Sequence, residues 1–246
     1  MKVIFLGTNG WYDTETGSTV SVLIESREHY IIIDAGFGFY KAKDYIKPDR
    51  PVSLFLSHMH LDHIIGLHTL PIFKISQGID IYIPRPMERY LRSFLKRPYT
   101  TPPLLLPTKI RFHDALSHGR KPFNFQALLM RHAVPCYGYR FTLDGFAITY
   151  CTDTGICNNL KRIAKGADLL MTECAMAPGY KGLNLFHITP ETAARVAAEA
   201  GAKKLALFHF DPGKYPSFAE REEAERVARS IFPATIAARD GTVFTL

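Results

Sequence analysis

Apolar residues at the start of the chain come in short blocks. "KVIFLG", "TVSVLIE", "YIIIDAG" and "VSLFLS" are rich in β-branched and aliphatic residues, and Gly, Asp or Ser follows each apolar run. Blocks of this length and composition predict four strands. "DIYIP", "IRFH", a run through "FQALLMRHAV", then "YGYRFTL" and "FAITYCTD" predict more, the last two joined at Asp144-Gly145, a hairpin-turn pair. A helical period replaces the block pattern in "HIIGLHTLPIFK", "PMERYLRSFLK", "NNLKRIAKG" and "SFAEREEAERVARSIF". It is clearest in "TPETAARVAAEAG", where Thr189 suits the N-cap, Pro190 the first turn and Gly201 the stop. Strands alternating with helices along the whole length predict α/β layers, with no repeat or linker.

Length and composition narrow this picture. At 246 residues and 47% hydrophobic, the chain suits one domain over residues 1–246 with a sizeable core. "MKVIFLGTNG" is too brief for a signal-peptide core and no stretch of 18 apolar residues occurs, so the expectation is a soluble, cytoplasmic protein without membrane contact. Cys136, Cys151, Cys157 and Cys174 form no CxxC pair and are expected as small buried residues in a reducing compartment.

The net charge of +7 favours anionic partners. Arg85, Arg89, Arg92, Lys96, Arg97, Lys109, Arg111, Arg120 and Lys121 stand against only Glu88 and Asp114 in the same segment. That segment is either a solvated helix followed by a proline-rich loop or a phosphate-attracting rim.

The densest chemistry lies in "SHMHLDHIIGL". Three of the chain's 10 histidines and an aspartate, His58, His60, Asp62 and His63, fall within six positions. Asp34, this hexapeptide, His132, Asp153 and His209 each stand at or just past the end of an apolar strand, where α/β sites are built. His58 and His60, two apart, can point the same way, whereas Asp62 and His63 begin a helix and face elsewhere. One hexapeptide can therefore serve two neighbouring ions. Imidazole and carboxylate donors suit Zn²⁺, and a shared carboxylate lets two ions sit about 3.5–4 Å apart, with Asp153 the candidate bridge.

In these residues the chain resembles the metallo-β-lactamase superfamily over nearly its whole length. The resemblance implies a four-layer αββα sandwich of two mixed sheets flanked by helices. Asp34 in "IIIDAG" matches the first, structural motif, and His58, His60, Asp62 and His63 the signature hexapeptide. His132, Asp153 and His209 match the later ligands in order. By this likeness His58, His60 and His132 would hold one divalent ion, Asp62, His63 and His209 the other, and Asp153 would bridge. Zinc is the expected metal, with manganese or iron as alternatives. The oxygen-reducing branch generally has glutamate where this chain has His60, which favours hydrolysis.

"HAVPCYGYRF", "YCTDTG", "LLMTECA" and "FHITPETAARVA" resemble the ribonuclease Z and phosphodiesterase branch. There a histidine ahead of an alanine-rich helix, paired with an acidic residue, is thought to protonate the leaving group; His187 and Glu173 match. Asp62 would orient or deprotonate the attacking water. Two departures bear on substrate. Ribonuclease Z enzymes usually carry a long arm between the third and fourth motifs, yet His132 to Asp153 leaves room only for a hairpin. In "LFHFDPGKY", Asp211 and Lys214-Tyr215 replace the usual hydroxyl residue and Arg-Tyr pair.

The expectation is a dinuclear phosphodiesterase acting on a small or cyclic phosphodiester. The alternatives are a ribonuclease Z-like RNA endonuclease, a lactone- or β-lactam-type hydrolase, and a non-catalytic module binding metal and nucleic acid. "GWYDTETG" is expected as a surface loop with one packed aromatic, the other choice being a lid carrying Trp11 and Tyr12. His68 is expected in the core or behind the ligands, and His113 and His118 belong to no motif.

Overall fold

The computed structural model of the chain describes residues 1–119, 121–182 and 185–246. Arg120 of the basic segment lies outside the described residues. The chain is α/β, as its pattern of strands and helices predicts, with the two mixed sheets that the family likeness implies, and it divides into two compact units.

The first unit comprises Met1–Gly7, Ser18–Gly119 and Asp240–Leu246. Its strands are β1 (Lys2–Gly7), β2 (Ser21–Glu25), β3 (Tyr30–Ile33), β4 (Val52–Phe55), β5 (Ile79–Ile83), β6 (Ile110–Asp114) and β13 (Val243–Thr245). They form one sheet in the order β13-β1-β2-β3-β4-β5-β6. Pairing is antiparallel from β13 to β3 and parallel from β3 to β6. β3 and β4 are buried throughout, β3 as its unbroken apolar run requires and β4 with Ser53 buried among apolar neighbours. The helices of this unit are α1 (Leu61–Ile64) and α2 (Arg85–Phe94).

"HIIGLHTLPIFK" does not form the continuous helix its periodicity predicts. One α-helical turn, α1, passes directly into a 3-10 stretch over Ile65–Ile72. Gly66 N–H donates to Ala35 O at 2.8 Å instead of to the fourth residue back, and Pro71 has no N–H to give. A contact to another segment outbids the local period. A 3-10 stretch at Phe37–Asp44, which no periodicity signals, follows β3.

The second unit comprises Thr8–Gly17 and Arg120–Arg239. Its strands are β7 (Asn124–Leu129), β8 (Tyr137–Leu143), β9 (Phe146–Cys151), β10 (Leu169–Glu173), β11 (Leu205–Phe208) and β12 (Thr235–Ala237), ordered β12-β11-β10-β9-β8-β7. Pairing is parallel from β12 to β9 and antiparallel from β9 to β7. Asp144 and Gly145 turn the β8–β9 hairpin with φ of 52° and 86°, the left-handed pair such a turn needs. Its helices are α3 (Asn158–Ala164), α4 (Pro190–Glu199) and α5 (Phe218–Arg229). Thr189 caps α4 and Gly201 follows it at φ 63°, as the sequence predicts. The apolar faces of α3, α4 and α5 meet β10 and β11 in one cluster containing Leu160, Ile163, Ala193, Ala197, Leu205 and Ala224.

All four cysteines are unpaired, and Cys136, Cys151 and Cys174 are buried. Among the described residues no helix is long and apolar enough to cross a membrane.

Candidate functional site

In the first unit the parallel register of β3 and β4 sets Ile33 opposite Phe55, so the segments that follow them emerge side by side. Asp34 leaves β3 in left-handed backbone at φ 57°, a conformation that costs a non-glycine residue about 1–2 kcal/mol. It is pinned there: its N–H donates to Phe55 O at 2.8 Å and its carbonyl accepts the Ser21 hydroxyl at 2.8 Å. The carboxylate, fully buried, accepts the Ser57 N–H on Oδ1 and the Ser57 hydroxyl on Oδ2, both at 2.7 Å. Oδ2 also lies 2.8 Å from His63 Nδ1. Having given its proton to Asp34, Ser57 Oγ accepts from His58 Nδ1 at 3.0 Å.

Both imidazoles are thus engaged through Nδ1, which leaves Nε2 as the nitrogen that could meet a metal, the usual arrangement behind metal-binding histidines. No motif flags Ser57. The signal was a hydroxyl immediately before the first His of the hexapeptide. His58 and His60 have ring centroids 4.6 Å apart, and each offers a nitrogen within 4.8 Å of the other. Asp62 and His63 fall on α1 and form a second such pair, with Asp62 Oδ2 3.4 Å from His63 Nε2. The two pairs adjoin, the His58 and His63 ring centroids being 4.1 Å apart.

In the second unit β9, β10 and β11 are parallel neighbours in near-common register, Cys151 opposite Thr172 and Glu173 opposite Phe208. Asp153, Glu173 and His209 therefore leave the sheet at one end. Asp153 and His209 take left-handed φ of 42° and 55°, the same strained conformation as Asp34. Asp153 Oδ2 accepts the Thr152 hydroxyl at 2.9 Å and lies 3.1 Å from His209 Nε2. His132 lies beyond β7, in the segment where Arg131 bridges Gly155, and offers a nitrogen within 4.8 Å of an Asp153 oxygen.

Glu173 is fully buried and fully engaged. Oε1 accepts Thr154 N–H at 2.6 Å, and Oε2 accepts Ala175 N–H at 3.2 Å and Ile188 N–H at 3.4 Å. His187 Nδ1 stands 3.0 and 3.1 Å from the two oxygens. These bonds offset the cost of burying the carboxylate and fix the His187 ring. His187 Nδ1 is 3.9 Å from Asp153 Oδ1, and its ring centroid is 5.5 Å from that of His132. Burial pulls the His187 pKa down, but the charge and hydrogen bond of Glu173, with Asp153 behind them, outweigh it and raise it to about 9. In its charged form His187 has Nδ1–H committed to Glu173 and Nε2–H left to donate.

Other candidates fall away from these clusters. His68 is exposed, not in the core; its Nδ1 donates to Ile65 O at 2.6 Å and its ring stacks on Phe37. His113 stacks on Tyr82 and lies 2.6 Å from Asp80, which also takes Arg111. Trp11 is 73% exposed and its ring meets that of Tyr12, itself 45% exposed, so neither aromatic of the loop is buried. Tyr215 is buried and donates to Met176 O, and Lys214 pairs with Asp211. In the basic segment Arg92 pairs with Glu88 and Arg111 with Asp80, while Arg85, Arg89, Lys96, Arg97 and Lys109 are exposed cations.

Residues 29–210 match the family described as beta-lactamase superfamily domain. The chain is 29% identical over 309 aligned positions to a Ribonuclease Z of Synechococcus sp., covering 98% of this chain and 97% of the relative. It is 27% identical over 304 positions to a Ribonuclease Z of Crocosphaera subtropica, covering 98% and 96%. Among solved structures, the metallo-beta-lactamase fold protein YhfI from Bacillus subtilis superposes with a TM-score of 0.81 at 23% identity, covering 99% of this chain and 98% of that one. The short form of human tRNase Z gives 0.77 at 22% identity, covering 100% and 99%. A diphosphatase of the PhnP family gives 0.76 at 19% identity, covering 100% and 97%.

Proposed function

The chain belongs to the β-lactamase superfamily and is a metal-dependent hydrolase, and from that premise we propose that it is a phosphodiesterase acting on a small or cyclic phosphodiester. The observation that carries this reading is the buried Glu173 held against His187 beside Asp153. A phosphodiester's leaving alkoxide needs a proton, and a carboxylate-held imidazolium is a device for giving one. A lactone or β-lactam has less need of it.

The donor set suits two divalent cations. His58, His60 and His132 would hold one, Asp62, His63 and His209 the other, with Asp153 shared. All are imidazole or carboxylate donors, and His58 and His63 are engaged through Nδ1. Zinc is the expected pair, with manganese or iron as alternatives. When bound, the cations supply charge neutralisation at the phosphate and activation of water near neutral pH.

The chain's own residues do the rest. Asp62 orients the attacking water or takes its proton. His187 Nε2–H donates to the departing oxygen, and Glu173, on Nδ1, keeps the ring in place and stabilises its charged form. Asp153 contributes to the high pKa of His187, so cations on Asp153 would bring it back toward neutrality and make it a readier acid. Exposed Arg85, Arg89, Lys96 and Arg97 would draw anions toward the protein. The reading takes residues 1–246 as one hydrolase domain in a reducing cytoplasm, consistent with four unpaired cysteines.

A second reading, a ribonuclease Z-like RNA endonuclease, is favoured by the names of the curated relatives. Against it stands length. The alignment with the Synechococcus relative spans 309 positions for a chain of 246 residues, so at least 63 of its positions face no residue here.

Metal analysis of the purified protein followed by a panel of phosphodiesters, lactones and RNA tests the proposal. About two transition ions per chain are expected, with Asp153→Ala losing at least one. No bound metal and no uptake on addition would refute it.

A further inference from the structure

Arg221 sits in the middle of the charge-rich helix α5, yet it is 1% exposed. Nη1 donates to Thr8 Oγ1 at 3.1 Å, and Nη2 to Thr16 Oγ1 at 2.8 Å and to Asn9 Oδ1. The guanidinium carbon also lies 4.7 Å from the centroid of the Phe210 ring. One side chain therefore grips the 8–17 loop and the residue that follows His209.

The loop is stitched to the same place by its backbone. Phe210 N–H donates to Thr8 O at 3.0 Å, and Gly10 N–H donates to Phe210 O at 2.9 Å. The Asn9 amide donates to Tyr12 O at 3.1 Å and to Thr14 Oγ1 at 3.0 Å, which holds the loop's curve. Between these anchors Gly10 lies against the His209 imidazole. A Cβ at position 10 would come within 2.5, 2.7 and 2.9 Å of ring atoms Cε1, Nδ1 and Nε2. The Gly10 backbone is thus a floor under that ring, and Arg221 and Asn9 fix the floor.

We propose that Arg221 and Asn9 are positioning residues for His209, setting through Gly10 the angle at which its imidazole meets the ion it would hold. The inference rests on the function proposed above, in which His209 is a ligand of one ion only, so it predicts an effect confined to that ion.

Zinc titration of the metal-stripped full chain against a competing chelator decides it, using Asn9→Ala, Gly10→Ala, Arg221→Gln and Arg221→Lys. Arg226→Gln, on an exposed arginine of the same helix paired with Glu223, is the control. Asn9→Ala and Gly10→Ala should weaken one of the two zinc steps by about 10–100-fold and leave the other within about twofold, as lost support behind a metal ligand does. Imidazole signals of His209 in the metal-free protein should shift in both variants. Arg221→Lys should retain more of the affected step than Arg221→Gln, and Arg226→Gln should match the wild type. Both zinc steps weakened alike, or neither moved in folded variants, overturns the proposal. If Arg221→Gln does not fold, Asn9→Ala and Gly10→Ala carry the test. If the wild type takes up no zinc, the proposed function fails by itself, and unshifted His209 signals in Asn9→Ala and Gly10→Ala would then overturn this inference separately.

Discussion

Asp34, Asp153 and His209 are three side chains with different roles but one backbone conformation, each turned to positive φ just past a strand. The turn redirects each side chain away from the alternation of its strand, and neighbouring hydrogen bonds hold it there. Sequence reveals which residues carry ligand chemistry, because the hexapeptide packs four donors into six positions. It does not reveal conformation, nor residues whose chemistry is ordinary. Ser57 is a serine like any other until Asp34, His58 and His63 are seen around it. Arg221 reads as a solvated charge until its hydroxyl and amide partners are counted. His187 was legible, through its Glu173 partner, only by family likeness. Its role is open to a direct test. His187→Ala should keep its metals and fold and lose roughly 10²–10⁴-fold in kcat, with the smallest loss on nitrophenyl esters, whose leaving group needs no proton. Equal losses on good and poor leaving groups would assign His187 to substrate positioning instead.

Elements defined by a strong local signal match the structure closely. α4 has a cap, a proline and a stop, and runs between them; the β8–β9 hairpin turns at Asp144-Gly145. The stretch after the hexapeptide fails the same test because Gly66 spends its N–H on Ala35, which no periodicity can encode. β12 and β13, three residues each, are too short to leave a pattern. At the β5–β6 pair the two strands share a charge cluster: Asp80 accepts Arg111 Nε and Nη2, both at 2.7 Å, and lies 2.6 Å from His113. Burial pushes the Asp80 carboxyl up, but the bonds from Arg111 and His113 prevail and hold it below the ordinary carboxylate value. A pKa lower in the folded than in the unfolded chain stabilises the fold above the unfolded value, near 3.9, and that contribution fades as pH falls through the folded value. Asp80→Asn should therefore lower the thermal midpoint at pH 7, and the gap to wild type should close as the pH is taken below about 4. A gap that persists undiminished at pH 2 would show that packing, not charge, holds this pair.

At the scale of the whole molecule, the proposed small substrate draws on the alignment in which at least 63 positions beside the Synechococcus relative face no residue here. A transfer RNA precursor is held through many phosphate contacts far from the scissile bond, and affinity and salt dependence fall together as contacts are removed. Between Leu129 and Asp153 the chain offers His132 and one tight hairpin, with no strand or helix to spare for an arm. Small cyclic and aryl phosphodiesters should accordingly show higher kcat/KM than a transfer RNA precursor in side-by-side kinetics. Efficient precursor cleavage with a steep salt slope would reverse that order and make the Arg85 to Lys121 segment an RNA-binding surface. The shortness of the span from His132 to Asp153 could be read by counting residues between motifs. The closing of the first sheet could not, because β1 finds β13 across almost the whole chain.

That pairing has a consequence for how the protein is made. Lys2 pairs with Thr245, and Met1 and Leu246, 245 positions apart, exchange backbone hydrogen bonds. On a ribosome adding about 5–20 residues per second, β1 (Lys2–Gly7) emerges long before β13 (Val243–Thr245) and waits many seconds for its outer neighbour. Throughout that wait its outer edge is an open row of amides and carbonyls flanked by Val3, Ile4 and Phe5, the kind of edge that recruits strands from other chains. The nascent chain is thus exposed to aggregation at that edge until β13 has emerged. Ribosome-stalled chains ending before Val243 should bind chaperones or aggregate more than chains that include β13, and their β1 amides should exchange faster. Equal protection of β1 with and without β13 would show that β13 is dispensable to the sheet.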